Sequence, residues 1–97
     1  MQINADIFKA YDVRALYPDE INEDVARLIG RGLAAYLQTP RIGLARDMRV
    51  SSPALASAFM DGVREQGTDV VDYGLMATDM LYFAVVRDDL GGGAAIT

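Results

Sequence analysis

The segment from Ile42 to Pro53, IGLARDMRVSSP, constrains the fold more than any other part of the chain. It opens with four uncharged, mostly apolar residues, a run typical of a buried parallel strand. Charged residues then occupy Arg46 to Arg49, apart from one methionine. The two serines and the proline at 51–53 are typical of a helix N-terminus, because a serine side chain caps backbone N–H groups and a first-turn proline leaves none unpaired. The order predicts a strand, a charged turn and a capped helix.

The charged turn lies where an α/β protein binds its ligands. In open α/β sheets, ligands bind outside the carboxyl ends of the strands, so Arg46 and Arg49 are placed to meet an anion. In the alternative interpretation both arginines are solvated turn charges, with Asp47 as a local partner. Spacing alone favours that alternative, so the turn by itself does not identify a site.

Strands and helices alternate along the rest of the chain. Residues 3–16 have the pattern of an irregular first strand, and helices are predicted after Asn22, from the helix start at 51–53 and from an N-cap at Thr78. Such alternation predicts a mainly parallel sheet with helices on its faces. The expected fold is therefore one α/β domain over residues 1–97, with a mainly parallel, mixed four-stranded sheet and about three helices. The three later strands are expected at Ile42–Ala45, Asp69–Tyr73 and Ala94–Thr97.

Apolar spacing predicts which helix faces are buried. The first helix is expected to end at Thr39–Pro40. Gly30 and Gly32 lie within one turn of each other in this helix. Each destabilises the helix by about 1 kcal/mol relative to alanine, so the pair predicts that another backbone packs closely against it. The second helix is expected to end at Gly67, and Gly74 to form a turn. The predicted buried positions are Val25, Leu28, Ile29, Leu33, Tyr36 and Leu37 in the first helix, Leu55, Ala56, Phe59, Met60 and Val63 in the second, and Leu81, Tyr82, Val85 and Val86 in the third. Four methionines are interpreted as core residues, namely Met48, Met60, Met76 and Met80.

Composition excludes several classes of function. The net charge is −5 and no basic run is present, which argues against nucleic acid as a partner, because that partner requires clustered lysines and arginines. The chain contains no cysteine and no histidine, so disulfides, a Ser–His or Cys–His nucleophile pair and a typical zinc site are not expected. Neither a membrane-spanning segment nor a signal peptide is visible, and a cytoplasmic location is expected.

Nucleotide-binding loops are also missing from the sequence. Neither G-x-G-x-x-G nor G-x-x-x-x-G-K-[ST] occurs. The glycines at Gly91–Gly93 precede no helix and are interpreted as a flexible turn. A nucleotide-binding α/β domain therefore rests on fold analogy alone.

Four linked motifs resemble those of a known family. They are IFKAYDVR at Ile7–Arg14, ARDMRVSSP at Ala45–Pro53, DYGLMAT at Asp72–Thr78 before an LYFAV helix at Leu81–Val85, and GGGAAIT at Gly91–Thr97. In this order they resemble the first domain of the α-D-phosphohexomutases, and FKAYDVR is most similar to the phosphomannomutase/phosphoglucomutase branch. The resemblance covers essentially the whole chain and implies a three-layer α/β/α sandwich.

The resemblance implies an enzyme of four domains that interconverts hexose 1-phosphate and hexose 6-phosphate. A phosphoserine would transfer its phosphoryl group to the hexose phosphate, and the resulting bisphosphate would return a phosphoryl group to the serine. Mg²⁺ would sit beside the phosphoserine, held by aspartates of the second domain, outside this chain. Such chemistry depends on positioning and charge neutralisation.

Residues near the start of the chain match family positions close to the catalytic serine. Tyr11 and Arg14 match the family's tyrosine and arginine there, and Arg14 would offer a fork of donors to phosphate. Lys9 occupies a position that is basic in many relatives. Each of these roles is implied by the resemblance alone.

The charged turn and the last residue match two further family motifs. Arg46, Asp47 and Arg49 match the GRDxR turn, which would mainly shape the site, while Arg49 would contribute to it directly. Thr97 matches the threonine of the TASHNP active-site loop, so the catalytic serine is expected two residues beyond it. The 97 residues alone are therefore expected to be inactive.

The expected partners follow from the same resemblance. They are a hexose phosphate and the remaining domains of the enzyme, and surfaces that normally meet the second domain would favour self-association of this chain. The alternative is a standalone, non-catalytic module that binds a sugar phosphate or a protein. Which hexose phosphate is preferred is not readable from the sequence.

Overall fold

Three helices and three strands alternate in the computed structural model, which describes residues 21–48 and 52–97. The first predicted strand, at residues 3–16, lies outside the described residues. The elements are α1 (Glu23–Leu37), β1 (Arg41–Arg46), α2 (Ser52–Glu65), β2 (Asp69–Leu75), α3 (Thr78–Arg87) and β3 (Gly93–Ile96).

The described strands form one parallel sheet in the order β2-β1-β3. In its pairing with β2, β1 starts with Arg41 opposite Asp69, and in its pairing with β3 it starts with Gly43 opposite Gly93. The predicted parallel sheet is confirmed for these three strands, whereas a fourth strand is not. Parallel strands place all their carboxyl ends at one edge, so the residues that follow the three strands come together there.

Helices cover both faces of this sheet. Side chains alternate between faces along a strand, and Ile42 and Leu44 of β1 are fully buried in a cluster with Ala34 of α1 and Phe59 of α2. A Cβ added at Gly43, which faces the other way, would contact Val85 of α3. Helices α1 and α2 therefore lie on one face and α3 lies on the other.

Two glycines determine how closely α1 and α2 approach. A Cβ at Gly30 would overlap the carbonyl oxygen of Phe59, and a Cβ at Gly62 would overlap the carbonyl oxygen of Arg27. The close backbone contact predicted from Gly30 is confirmed, and Gly62 supplies the reciprocal contact from α2. The same prediction for Gly32 is wrong, because a Cβ there meets nothing within 4 Å.

The ends of α1 follow local sequence signals. The side chain of Asn22 accepts a hydrogen bond of 3.0 Å from the Val25 N–H, which confirms the predicted N-cap. Gln38 ends the helix in the left-handed region, with φ of 50°. Tyr36 was expected on the buried face but is 84% exposed, because Ala34 occupies the contact with the core instead.

Helix α3 corrects several predictions. Its N-cap is Ala77, without a side-chain cap bond, and Thr78 is already helical. Only Leu81 and Ala84 are buried, whereas Tyr82 and Val86 are exposed, because no other element among the described residues covers that side of the helix. The methionine interpretation is also partly wrong, since Met48 and Met80 are exposed while Met60 packs against the core.

Glycines near the strands also differ from expectation. Gly74 does not end β2, because the register shifts beside it and the strand continues to Leu75 with Gly74 at φ of 71°. An irregular pairing of this kind inserts one extra residue into a strand. The run at Gly91–Gly93 is not simply a flexible turn: Gly93 opens β3, and a Cβ at Gly91 would overlap the side chain of Thr39.

Of the helices in the part of the chain that is described, none combines the length and the apolar character needed to cross a bilayer.

Candidate functional site

The carboxyl edge of the sheet joins the residues that follow all three strands. The Asp47 N–H, after β1, donates a 2.9 Å hydrogen bond to the Ile96 carbonyl at the end of β3. The Met76 N–H, after β2, donates a 3.2 Å bond to the Arg46 carbonyl. Arg46 and Asp47 are therefore fixed between the ends of β2 and β3, next to Thr97.

A side-chain hydrogen bond closes the turn after β1. The Ser52 hydroxyl donates to Asp47 Oδ1 at 2.5 Å, and Ser52 is only 1% exposed. The bond joins the first residue after β1 to the first residue of α2. The end of β1 and the start of α2 are thus tied together.

The sequence interpretation missed this role of Ser52. It treated the two serines as cap residues, whereas Ser52 is already in α2 and its hydroxyl is used by Asp47. Ser51 lies outside the described residues. A carboxylate five positions before a helix-start serine was the only signal available, and that spacing is not specific.

Two helices begin at the same edge. The N-terminus of a helix carries a partial positive charge and unpaired N–H groups, so it favours an anion. The first turn of α2 contains no acidic side chain, whereas that of α3 contains Asp79. Arg46, which is half-buried, ends β1 at this same edge, so one positive side chain and the start of α2 lie at the same edge of the sheet.

The structure brings together three of the seven site residues expected from the sequence. Arg46, Asp47 and Thr97 lie at the carboxyl edge, where the hydrogen bonds of Asp47 connect β1, α2 and β3. The other four lie outside the described residues, namely Lys9, Tyr11, Arg14 and Arg49. Their roles stay predictions.

The described residues do not form a metal centre. Within 21–48 and 52–97, no group of three or more acidic, histidine or cysteine side chains is placed to hold an ion. These residues therefore do not fit a site for Mg²⁺.

The clearest electrostatic cluster lies at the opposite edge. Arg87 donates two hydrogen bonds of 2.9 Å to the Asp88 carboxylate, which also accepts one from the Tyr73 hydroxyl. The bonds from Arg87 and then Tyr73 lower the pKa of Asp88 to about 2, and the bond to Asp88 raises the pKa of Tyr73. Because Arg41, the first residue of β1, donates to the Asp88 carbonyl, this cluster is separate from the candidate site.

Comparison with known proteins identifies the family. Residues 5–97 match the family described as phosphoglucomutase/phosphomannomutase, alpha/beta/alpha domain I. The chain belongs to the phosphoglucomutase/phosphomannomutase family. It is 46% identical over 90 residues to a protein of Xanthomonas campestris named phosphohexose mutases, covering 93% of this chain and 20% of the relative. It is 40% identical over 94 residues to a phosphomannomutase of Salmonella montevideo, covering 97% of this chain and 21% of the relative.

A solved structure of the same family has the same fold. A crystal structure of a phosphoglucomutase/phosphomannomutase family protein from Burkholderia thailandensis superimposes with a TM-score of 0.85 at 41% identity. The match covers 87% of this chain and 19% of the other. The chain thus spans about a fifth of the length of these relatives and corresponds to the first domain of the family.

Proposed function

We propose that this chain is the N-terminal domain of an enzyme that interconverts hexose 1-phosphate and hexose 6-phosphate through a phosphoserine and a bisphosphate intermediate. The observation that carries the proposal is the family match over residues 5–97. The placement of Arg46, Asp47 and Thr97 at one edge, beside the start of α2, supports it. A ligand-binding edge of this kind is expected in α/β folds.

In this proposal, the domain contributes positive charge and positioning to phosphoryl transfer. The start of α2 and the arginines of the turn, Arg46 and Arg49, neutralise phosphate charge that builds up during transfer. Arg14 and Lys9 add donors, and Tyr11 shapes the site. Asp47 holds the turn through the bond that its carboxylate accepts from Ser52, and it does not contact phosphate, because the two anions repel each other.

The phosphoryl carrier and the metal belong to other parts of the enzyme in this proposal. The serine follows Thr97 by two positions, and Mg²⁺ is held by aspartates of another domain. The 97 residues alone therefore catalyse nothing. Incubating them with glucose 1,6-bisphosphate and Mg²⁺ should leave the intact mass unchanged, and a stable phosphoserine at Ser51, Ser52 or Ser57 would contradict this assignment.

A hybrid enzyme tests the function directly. Residues of this chain replace the matching 90-residue segment of the Xanthomonas campestris relative, and conversion of mannose 1-phosphate and glucose 1-phosphate is compared with the parent. We expect the hybrid to be active on the substrates that the parent uses. A folded hybrid that binds sugar phosphate without converting it would favour the standalone binding module instead.

Arginine variants of the hybrid test the site residues. Arg49→Ala should lower kcat/KM on the order of 100-fold, the effect of removing one donor to a developing charge. Arg31→Ala is the control, because Arg31 is exposed on α1. Equal activities of the two variants would remove Arg49 from the proposal.

Self-association of the chain is a further part of this proposal. Exposed apolar side chains on α3, at Tyr82, Phe83 and Val86, support contact with a second copy. Light scattering of the 97 residues should show a mass that increases with concentration, and Val86→Glu should reduce it. A constant monomer mass at high concentration would contradict self-association.

A further inference from the structure

We infer that Ser52 is a positioning residue, whose hydroxyl holds the charged turn against the end of β3 through Asp47. The inference rests on the proposed function, since the turn is assigned to phosphate binding there. Ser52 itself contacts no phosphate in this proposal, because it is only 1% exposed.

The position of the Ser52 hydroxyl makes it available for this role. A helix-start serine ordinarily accepts a backbone N–H bond within its own helix. The Ser52 hydroxyl also has a proton to donate, and it donates to Asp47 Oδ1 at 2.5 Å, across the connection between β1 and α2. Bonds to a charged acceptor are shorter and stronger than those between neutral groups, and the burial of Ser52 keeps water from replacing its hydroxyl.

Asp47 transmits this constraint to the rest of the edge. Its own N–H is bonded to the Ile96 carbonyl at 2.9 Å, and Ile96 directly precedes Thr97. The residue before it, Arg46, is held to β2 through the Met76 N–H. One residue thus fixes the start of the turn to β3 by its backbone and to α2 by its side chain.

This clasp, defined as the Asp47–Ser52 hydrogen bond, restrains Asp47, whose neighbours at the carboxyl edge are Arg46 and Thr97. A residue held by both its backbone and its side chain has fewer conformations open to it, and so have its neighbours. A donor that is misplaced by about 1 Å loses much of its value in catalysis. Loss of the Ser52 hydroxyl should therefore lower kcat through the turn while the fold is kept.

The first experiment measures the clasp in the 97-residue chain. Ser52→Ala should increase the amide hydrogen-exchange rate of Asp47 about tenfold, as expected for the loss of one hydrogen bond to a charged group. Ser57→Ala, at an exposed position of α2, is the control and should not change it. Thermal unfolding shows that each variant is folded, and equal exchange rates in the two variants would contradict the clasp.

The second experiment measures its effect on activity in the hybrid enzyme. Ser52→Ala should reduce kcat about tenfold with little change in KM, and Ser52→Thr, which keeps the hydroxyl, should recover most of it. If Ser52 acts through Asp47, Ser52→Ala should cost nothing further in an Asp47→Ala background.

The outcomes separate this inference from the proposed function. A full second loss in the Asp47→Ala background, or a kcat equal to that of Ser57→Ala, would overturn the role of Ser52 while an active hybrid upholds the function. A hybrid without activity would overturn the proposed function, and the functional role of Ser52 with it.

Discussion

The two faces of the sheet are packed in different ways. On one face, α1 and α2 cross with their backbones in contact at Gly30 and Gly62, over a cluster that contains Phe59. On the other face, α3 is the one helix that covers the sheet within residues 21–48 and 52–97, with Leu81 and Ala84 as its buried residues. Four other apolar side chains of α3 are exposed, at Met80, Tyr82, Phe83 and Val86. A shallow groove of about 260 Å³ lies between α3 and Gly93.

The difference indicates which face carries the stability of the domain. Two backbones in contact leave no freedom to adjust, so any added atom must separate the helices. Side chains that line a single helix can move aside. We therefore expect substitutions on the α1–α2 face to cost more than chemically equal substitutions on the α3 face.

The largest difference is expected between two phenylalanines. Phe59→Ala should lower the free energy of unfolding by about 4 kcal/mol, because it removes a buried ring and leaves a cavity. Phe83→Ala, at a position 60% exposed, should change it by less than about 0.5 kcal/mol. Urea unfolding of both variants measures the difference, and similar midpoints would break the comparison.

A pair of glycines tests the backbone contact. Gly62→Ala should cost about 3 kcal/mol, since its Cβ would overlap the Arg27 carbonyl oxygen. Gly32→Ala should instead stabilise the domain by about 1 kcal/mol, because the site is open and alanine favours the helix. If both variants were stabilised, the helices would not be in contact as described.

A glycine on the α3 face should tolerate a methyl group better. A Cβ at Gly43 would lie 3.0 Å from a methyl group of Leu90 and 3.2 Å from the ring of Tyr73. Both are side-chain atoms, so they can shift, and Gly43→Ala should cost about 1 kcal/mol. Urea unfolding beside Gly62→Ala checks this order, and a larger loss at Gly43 would show that the α3 face is the rigid one.

The smallest effect is expected from the exposed cluster at the end of α3. The folded-state pKa of Asp88 is lowered from 3.8 to about 2, so its contribution to stability is present above pH 4 and is lost as pH falls towards 2. Wild-type protein should therefore exceed Asp88→Asn in stability at pH 5, and the difference should vanish near pH 2. Thermal unfolding across this range measures it.

A second variant checks the cause of that shift. Tyr73→Phe removes one donor to Asp88, so the pKa of Asp88 should rise and the acid-dependent loss should begin at higher pH. High salt should weaken the effect, because surface ion pairs are screened. A wild-type stability curve parallel to that of Asp88→Asn would show that the cluster contributes nothing.

Local sequence signals determined the order and type of the described elements. Asn22 caps α1 by a hydrogen bond to Val25, only three residues away, and the apolar run at β1 became the central strand. Thr97 and the turn at Arg46 and Asp47 could also be matched to family motifs, because the motifs occur in the same order. These features can be predicted because the groups involved are close together in the chain, or because their place follows from the alternation of strands and helices.

Only the tertiary structure decided which residues the neighbours cover. Tyr36 and Val86 fit the spacing of a buried face, but no partner element among the described residues covers them. The contact at Gly62 depends on where α1 and α2 cross, and the hydroxyl of Ser52 is used by Asp47 because β1 and α2 meet at one edge. Periodicity gives the direction in which a side chain points, whereas burial requires a second element within contact distance, which no local pattern records.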